Sequence, residues 1–513
     1  MRTEVRTCIP PIIVVLLLSA LPIGRTGIAA QPIMLGFTCT LAQDYRRLGF
    51  SWKVRGETVD LMRFMSLNGS SWARFGITNN ETGSSSLNTA LQTIQWARDS
   101  ALMVDVFFYL SSVAADLGKQ PAPVGWEGKS VAERASLARE YIRSSVATLL
   151  SENATDHFYE VGNENDYGIC GSFVSDQSKW PETQANIEFL KAGVWAEEAL
   201  ILRGAIAGLR EADPNATVVL HLSHWWNLTF CSEFFDFMRS NGVAFDVAGI
   251  SYYPSSGIYD LGEFLGLGQK TDADASVTMF KRTVTGLADL GYRVMVCEFG
   301  YPCTPSIPGL FSYFDKQVSG YPLSPDGQAR FVEDTLAWLC AQRNVVGALY
   351  FAPHFYQTYL TNVWGAFAWF DENGEARPAA FSIGKIVSSH PELMAQRDAR
   401  EAILDAWDSI DAAQSAGRTD GLSDARLKAD EAWASYLAGM FGSATASAGE
   451  ATEAASSATN PTVRMIFMVI VGAVVIVVAL GATAVLLLLW LRKKQPAAPP
   501  QPQVLLDTSG PKD

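Results

Sequence analysis

The sequence predicts an α/β chain whose main body is a (β/α)8 barrel, followed by a helical hairpin stalk and a C-terminal transmembrane helix. Three observations predict it. Short β-rich runs alternate with amphipathic helical stretches from about 33 to 390, Ala-rich acidic segments of helical period follow, and no charge occurs between 465 and 491.

Taken in order, residues 1–30 carry Arg2 and Arg6, an apolar run at 12–18 and Gly-Ile-Ala-Ala at 27–30. That order reads as a cleavable secretory signal with cleavage near Ala30; a permanent N-terminal anchor is the alternative. Strand candidates lie at 33–38, 72–77, 102–109, 157–161, 218–222, 245–253, 293–299 and 346–351. Amphipathic segments such as 131–149, 185–211, 277–290 and 328–342 separate them. Eight strands with intervening helices fit a barrel spanning 31–390. A doubly wound open sheet would want a Gly-rich phosphate loop after its first strand, and the sequence has none there.

Beyond the barrel, 391–442 reads as two helices divided by Gly-Arg-Thr-Asp-Gly at 417–421, a hairpin spacer. Residues 443–463 are rich in Ser, Ala, Thr and Gly and read as a flexible low-complexity linker. The apolar stretch 464–491 is long enough to cross a bilayer. Arg492, Lys493 and Lys494 follow it, so the Pro-rich tail 492–513 is expected in the cytoplasm and the barrel at the cell surface. A hairpin packed on the barrel is the alternative to a stalk.

Composition narrows the function. A chain of 513 residues that is 48% hydrophobic, with 14 Trp and 27 Phe, supports a large core. Its formal charge of −14, with no basic run outside the membrane flank, argues against a nucleic-acid partner. Export allows disulfides among Cys39, Cys170, Cys231, Cys297, Cys303 and Cys340, without fixing their pairing. Five sequons, at Asn68, Asn80, Asn153, Asn215 and Asn227, permit N-glycosylation. His221 and His224 are three apart in an expected strand, which would aim them at opposite faces, so no metal site is expected. No cofactor is implied, and a structural Ca2+ in a barrel loop stays open.

The chemistry centres on two glutamates, Glu164 in FYEVGNEND and Glu298 in VMVCEFGYP. Each stands at the exit of a β-type run, Glu164 after strand 4 and Glu298 at the end of strand 7. Both are thereby expected on the C-terminal face, where barrel active sites are built. A carboxyl there projects into a cleft instead of being buried unpaired. The pair suits the proton donor and the nucleophile of a retaining glycosidase, in which two carboxyls flank the scissile bond. The bland alternative for each is a strand-end salt bridge.

At these residues the chain resembles a family. VGNEN (161–165), DVAGISYYP (246–254), EFGYPCT (298–304) and YPLSPDGQARFVEDTLAWL (321–339) look like the endo-β-1,4-galactanases, the arabinogalactan endo-hydrolases. HLSHWWN (221–227), VDVFFYLSSVAADLGKQPAPVGW (104–126) and GAFAWFDENGEARPA (365–379) extend the similarity over roughly 33–388. That family belongs to a clan of retaining (β/α)8 glycosidases. The resemblance implies Glu164 as acid/base and Glu298 as nucleophile, acting on a β-galactan-like polysaccharide. It implies Asn163 on the sugar 2-hydroxyl, Arg74 paired with Glu298, His221 beneath the acid/base, and Tyr252 or Tyr253 bonded to the nucleophile.

Aromatic residues near the mouth, among them Trp126, Trp225, Trp226, Phe355, Tyr356 and Trp364, are candidates to stack on sugar faces. The chain departs from the family pattern at Tyr109-Leu110-Ser111-Ser112, where His-Tyr-Ser-Asp is usual. It departs again at Phe351-Ala352-Pro353, where Trp-Glu-Pro is usual. These departures keep a same-clan enzyme for a mannan or glucan open beside a galactanase. A third reading, a glycan-binding module without catalysis, is opposed by the presence together of Glu164, Glu298 and Asn163.

Overall fold

A computed structural model of the chain describes residues 32–256, 273–307, 313–355 and 363–493. The expected signal segment at 1–30, Tyr356 and the tail from Lys494 onward lie outside the described residues. The chain divides into two compact units, 1–397 and 398–513.

The first unit is a closed barrel of eight parallel strands. They are β1 (Met34–Thr38), β2 (Trp72–Ile77), β3 (Met103–Phe108), β4 (Phe158–Val161), β5 (Thr217–Leu222), β6 (Val247–Tyr252), β7 (Arg293–Phe299) and β8 (Val345–Tyr350). Each pairs with its sequence neighbours, and β1 closes the ring by bonding to both β2 and β8. All eight coincide with the runs expected from sequence to within about two residues.

Strand alternation sorts the side chains into two cores. Met34, Trp72, Phe158, Val219, Val247, Met295, Cys297 and Leu349 cluster inside the barrel floor. Their neighbours in sequence, including Leu35, Ala73, Tyr159, Val218, Ala248, Val296 and Ala348, join the larger core under the helices. The helices obey local capping rules: Ser130 and Glu133 form a capping box at the start of Val131–Ser151, and Ser324 with Pro325 opens Pro325–Cys340.

One irregularity positions the site. Pairing of β6 with β7 slips between Ile250↔Val296 and Ser251↔Glu298, leaving Cys297 as an extra residue. Such a bulge re-aims the residues after it. Without it, alternation would send Glu298 outward with Val294 and Val296; with it, Glu298 turns to the barrel mouth. Gly249 on β6 makes the room, since a Cβ there would lie 2.5 Å from Cys297 Sγ.

The second unit corrects an expectation. Residues 443–463 were expected to be a flexible linker, yet Phe441–Ser457 is a helix, and a three-residue connection leads to the apolar helix. Ala444, Ala448, Ala451 and Ala455 recur at spacings of four, three and four and are fully buried. Small side chains let this helix lie close against Leu422–Leu437, where Lys428 pairs with Glu450 at 3.1 Å. Arg418 Nη1 donates to the carbonyls of Ala455, Ser456 and Ala458, capping the helix end. Composition suggested low complexity because the stripe that buries this helix consists of methyl groups alone. Pro461–Lys493 follows, a helix of 33 residues containing an 18-residue stretch of mean hydropathy 3.0, with no buried residue.

The six cysteines named above are free thiols, five of them buried and Cys340 partly so.

Candidate active site

A cleft opens at the C-terminal ends of the barrel strands, with a cavity volume of about 520 Å³. Asn163, Glu164, Ser251, Tyr253 and Glu298 line its floor. Trp225 and Trp180 stand on one side, and Phe314, Phe351 and Trp364 on another.

Arg74 is the hub. It points into the barrel from β2, is fully buried, and lies with its guanidinium 3.7 Å above the Phe107 ring. Nε and Nη2 donate to the two oxygens of Glu160 at 2.6 and 2.8 Å. Nη1 donates to Glu298 Oε1 at 2.7 Å, and Tyr253 donates to Glu298 Oε2 at 3.0 Å. Nη2 also donates to Asn163 Oδ1 at 3.1 Å. Burial pushes the Glu160 carboxyl up, but the charge and hydrogen bonds of Arg74 outweigh it and bring it to about 2. Asp105, on the neighbouring inward position of β3, goes the other way: burial, then the Glu160 charge, hold it well above the carboxylate range.

Glu164 sits in a different environment from Glu298. It follows β4 on the turn Gly162-Asn163-Glu164, with φ of +84° at Gly162 and +51° at Glu164. Left-handed backbone is costly for a glutamate and is held by Gln120, whose buried amide donates to the carbonyls of Asn163 at 2.8 Å and Glu164 at 3.2 Å. The carboxyl receives Leu117 N–H at 3.1 Å and lies 2.7 Å from Ser251 Oγ. Burial, then the negative charges of Glu298 and Asp166, push it up to about 8. At neutral pH it therefore holds a proton, while Glu298, lining the same cleft, accepts from a guanidinium and a phenol. One carboxyl that gives a proton beside another that carries charge is the division of labour glycoside hydrolysis requires.

Of the residues singled out from sequence, the structure brings Glu164, Glu298, Asn163, Arg74, Tyr253, Trp225 and Trp364 to this cleft or its immediate floor. His221 is fully buried below, with Nδ1 3.1 Å from Asn163 Oδ1 and Nε2 2.9 Å from Ser251 Oγ. Tyr252 is placed elsewhere. On β6 it alternates outward and stacks on Phe280 at 3.7 Å between ring centres, while Ser251 and Tyr253 face the cleft. Trp126 is also elsewhere, against Tyr141, as is Phe355, stacked on Tyr45. Trp226 donates to Glu182 at 2.7 Å. His224 lies past the end of β5, where alternation no longer applies, and its Nδ1 contacts Asp166.

Ser251, Glu160, Asp105 and Gln120 were not anticipated. For the first three the signal was the two-residue alternation that places 105, 160 and 251 on inward positions once the strand boundaries are known; Gln120 lies in the loop after β3, which carries no such signal. Glu160, His221 and Cys297 offer metal-ligand atoms within 4.8 Å of one another. Arg74 already supplies the cation there, 2.6 Å from Glu160 and 3.4 Å from His221.

Comparison with known proteins identifies the family. An arabinogalactan endo-beta-1,4-galactanase of Cellvibrio japonicus is 25% identical over 364 residues, 67% of this chain and 86% of that protein. Another, of Thermothelomyces thermophilus, is 22% identical over 316 residues, 60% of this chain and 85% of that protein. The solved GH53 catalytic domain of Ignisphaera aggregans shares the fold with a TM-score of 0.56 and 22% identity, covering 70% of this chain and 98% of its own. The model of glycosyl hydrolase family 53 matches residues 39–382, nearly the whole barrel. With that match, and with two unlike carboxyls in one cleft, the chain belongs to glycosyl hydrolase family 53 and is a glycoside hydrolase.

Proposed function

We propose that the chain is a retaining endo-β-1,4-galactanase held at the cell surface by the helix Pro461–Lys493. The observation that carries the reading is the contrast between the two glutamates: Glu164 is pushed up to about 8, and Glu298 is paired with Arg74. Glu164 protonates the leaving oxygen while Glu298 attacks the anomeric carbon, giving a glycosyl-enzyme. Glu164, now a carboxylate, then takes a proton from the water that hydrolyses that intermediate. Asn163 bonds the 2-hydroxyl, and Arg74 and Tyr253 position Glu298. His221 supports Asn163 from below, and Trp364 offers a face for a sugar ring. Tyr252 and Trp126 play no direct part in this reading.

Galactan as the substrate rests on the relatives' names and on the matched barrel. A second reading, a same-clan enzyme for another β-glycan, is favoured by Tyr109 and Phe351. Both line the cleft at the two positions where the chain departs from the galactanase pattern.

One experiment tests these together. The full chain in detergent is incubated with β-1,4-galactan, arabinogalactan, mannan and β-glucans, alongside Glu298→Gln. Reducing ends from galactan alone, released first as the β-anomer by NMR, are expected. Release from mannan or glucan alone favours the second reading, and no release from any polymer removes both. Anchoring is tested by carbonate extraction of cells: the full chain stays in the pellet, and a chain ending before Pro461 is released.

A further inference from the structure

We propose that Ser251 and His221 form a one-way hydrogen-bond chain that selects the acid form of Glu164: Glu164 donates to Ser251, and Ser251 donates to His221. It rests on the reading of Glu164 as proton donor and adds positioning residues that act through it.

The direction follows from counting hydrogens. Ser251 Oγ lies 2.7 Å from Glu164 Oε1 and 2.9 Å from His221 Nε2, yet a hydroxyl has one proton to give. Burial lowers the pKa of His221, so the ring is neutral, with one N–H and one bare nitrogen. The far side of the ring decides which is which. Nδ1 is 3.1 Å from Asn163 Oδ1 and 3.5 Å from Glu160 Oε2, both acceptors. The Asn163 amide cannot be reversed without loss, because its Nδ2 donates to Ala115 O at 3.0 Å. The donor near Nδ1 is Arg74 Nη2 at 3.4 Å, and its two hydrogens already go to Glu160 and Asn163.

Nδ1 therefore carries the ring proton, and Nε2 is bare and takes the Ser251 proton. Ser251 Oγ can then only accept from Glu164, whose carboxyl must be protonated to fill the bond. When Glu164 ionises, two acceptors compete for one hydroxyl hydrogen. The same bias returns a proton to Glu164 from the attacking water in the second half-reaction.

Other groups face this chain and would stay in place if Ser251 were changed. Glu298 from β7, Asp166 after β4, Asp116 and the Leu117 N–H after β3, and the phenols of Tyr109, Tyr253 and Tyr313 face Glu164. Arg74 from β2, Glu160 and Asn163 from β4 and its turn, Asp166, and Cys297 and Glu298 from β7 face His221.

The test has opposite signs for the two directions. In the full chain, Ser251→Ala removes the acceptor of the acid proton. The alkaline limb of kcat/KM on β-1,4-galactan is expected to fall by about one pH unit, the worth of one hydrogen bond, and Ser251→Thr to restore it. A limb that rises in Ser251→Ala means the serine donates to the carboxylate, and overturns the proposal. Independently of activity, 15N NMR of histidine-labelled protein is expected to find His221 protonated on Nδ1, and a proton on Nε2 overturns the chain. Glu164→Gln with full turnover sinks the proton-donor reading; an inert Glu164→Gln with Nε2-protonated His221 sinks this inference alone.

Discussion

Replacing Glu164 by Gln should make the barrel more stable as pH rises, although it removes the proposed proton donor. The folded protein raises this carboxyl from 4.5 to about 8. A group whose folded pKa lies above its unfolded value contributes stability that is fully present below the unfolded pKa and is lost as pH climbs through the folded one. Wild type therefore loses stability between about pH 4.5 and 8, where the unfolded chain has released a proton that the folded site retains. Fully sealed, that rise would correspond to roughly 5 kcal/mol. Glu164 keeps a partly exposed edge, so solvent screening reduces it to about 2 kcal/mol. Gln copies the shape and hydrogen-bonding of the protonated acid and has nothing to titrate. Guanidinium denaturation of both proteins in detergent, followed by tryptophan fluorescence, should give similar stabilities near pH 4 and a gap of about 2 kcal/mol in favour of Gln by pH 8. A gap that is constant with pH, or that favours wild type at pH 8, would refute the argument that Glu164 stores an electrostatic cost.

The remaining predictions concern chemistry and the second unit. Glu164→Gln should lower kcat on polysaccharide by about 10²–10⁴-fold and much less on an aryl β-glycoside, whose leaving group needs little protonation; steady-state kinetics on both substrates check this. Arg74→Met should lower stability by about 3–5 kcal/mol, because Glu160 and Glu298 would be left as buried carboxylates without a countercharge; denaturant midpoints report it. Ala448→Leu should cost about 1–3 kcal/mol by forcing a larger side chain into the alanine seam, seen as a lower melting temperature of residues 398–513 within the full chain.

Much of the barrel was legible in the sequence. Its strands are β-rich runs bounded by turns, buried on both faces, and a parallel sheet imposes that pattern on composition directly. The two glutamates were legible for a related reason, since a carboxyl at a strand end needs a purpose. The choice between Tyr252 and Tyr253 was not, because alternation can be counted only once a strand's start and inward phase are known. The polar floor formed by Glu160, Asp105 and Ser251 was hidden likewise, each reading as an unremarkable residue within a strand. In the second unit, alanine and serine look alike to composition whether they line a seam or a linker.

By itself the sequence determined which segments become strands, that two carboxyls stand at strand exits, and that the stretch before Arg492 is apolar enough for a bilayer. These properties are local and depend on side-chain type and spacing alone. The pairing of Arg74 with Glu298 was implied by the resemblance, but only the tertiary structure decided how the two glutamates come to stand in different surroundings. A one-residue bulge at Cys297 turns Glu298 toward the barrel interior, and a left-handed turn clamped by Gln120 lifts Glu164 toward the cleft. The resulting difference in charge environment is a sum over groups from β2, β3, β4, β6 and β7, which no stretch of the chain contains by itself.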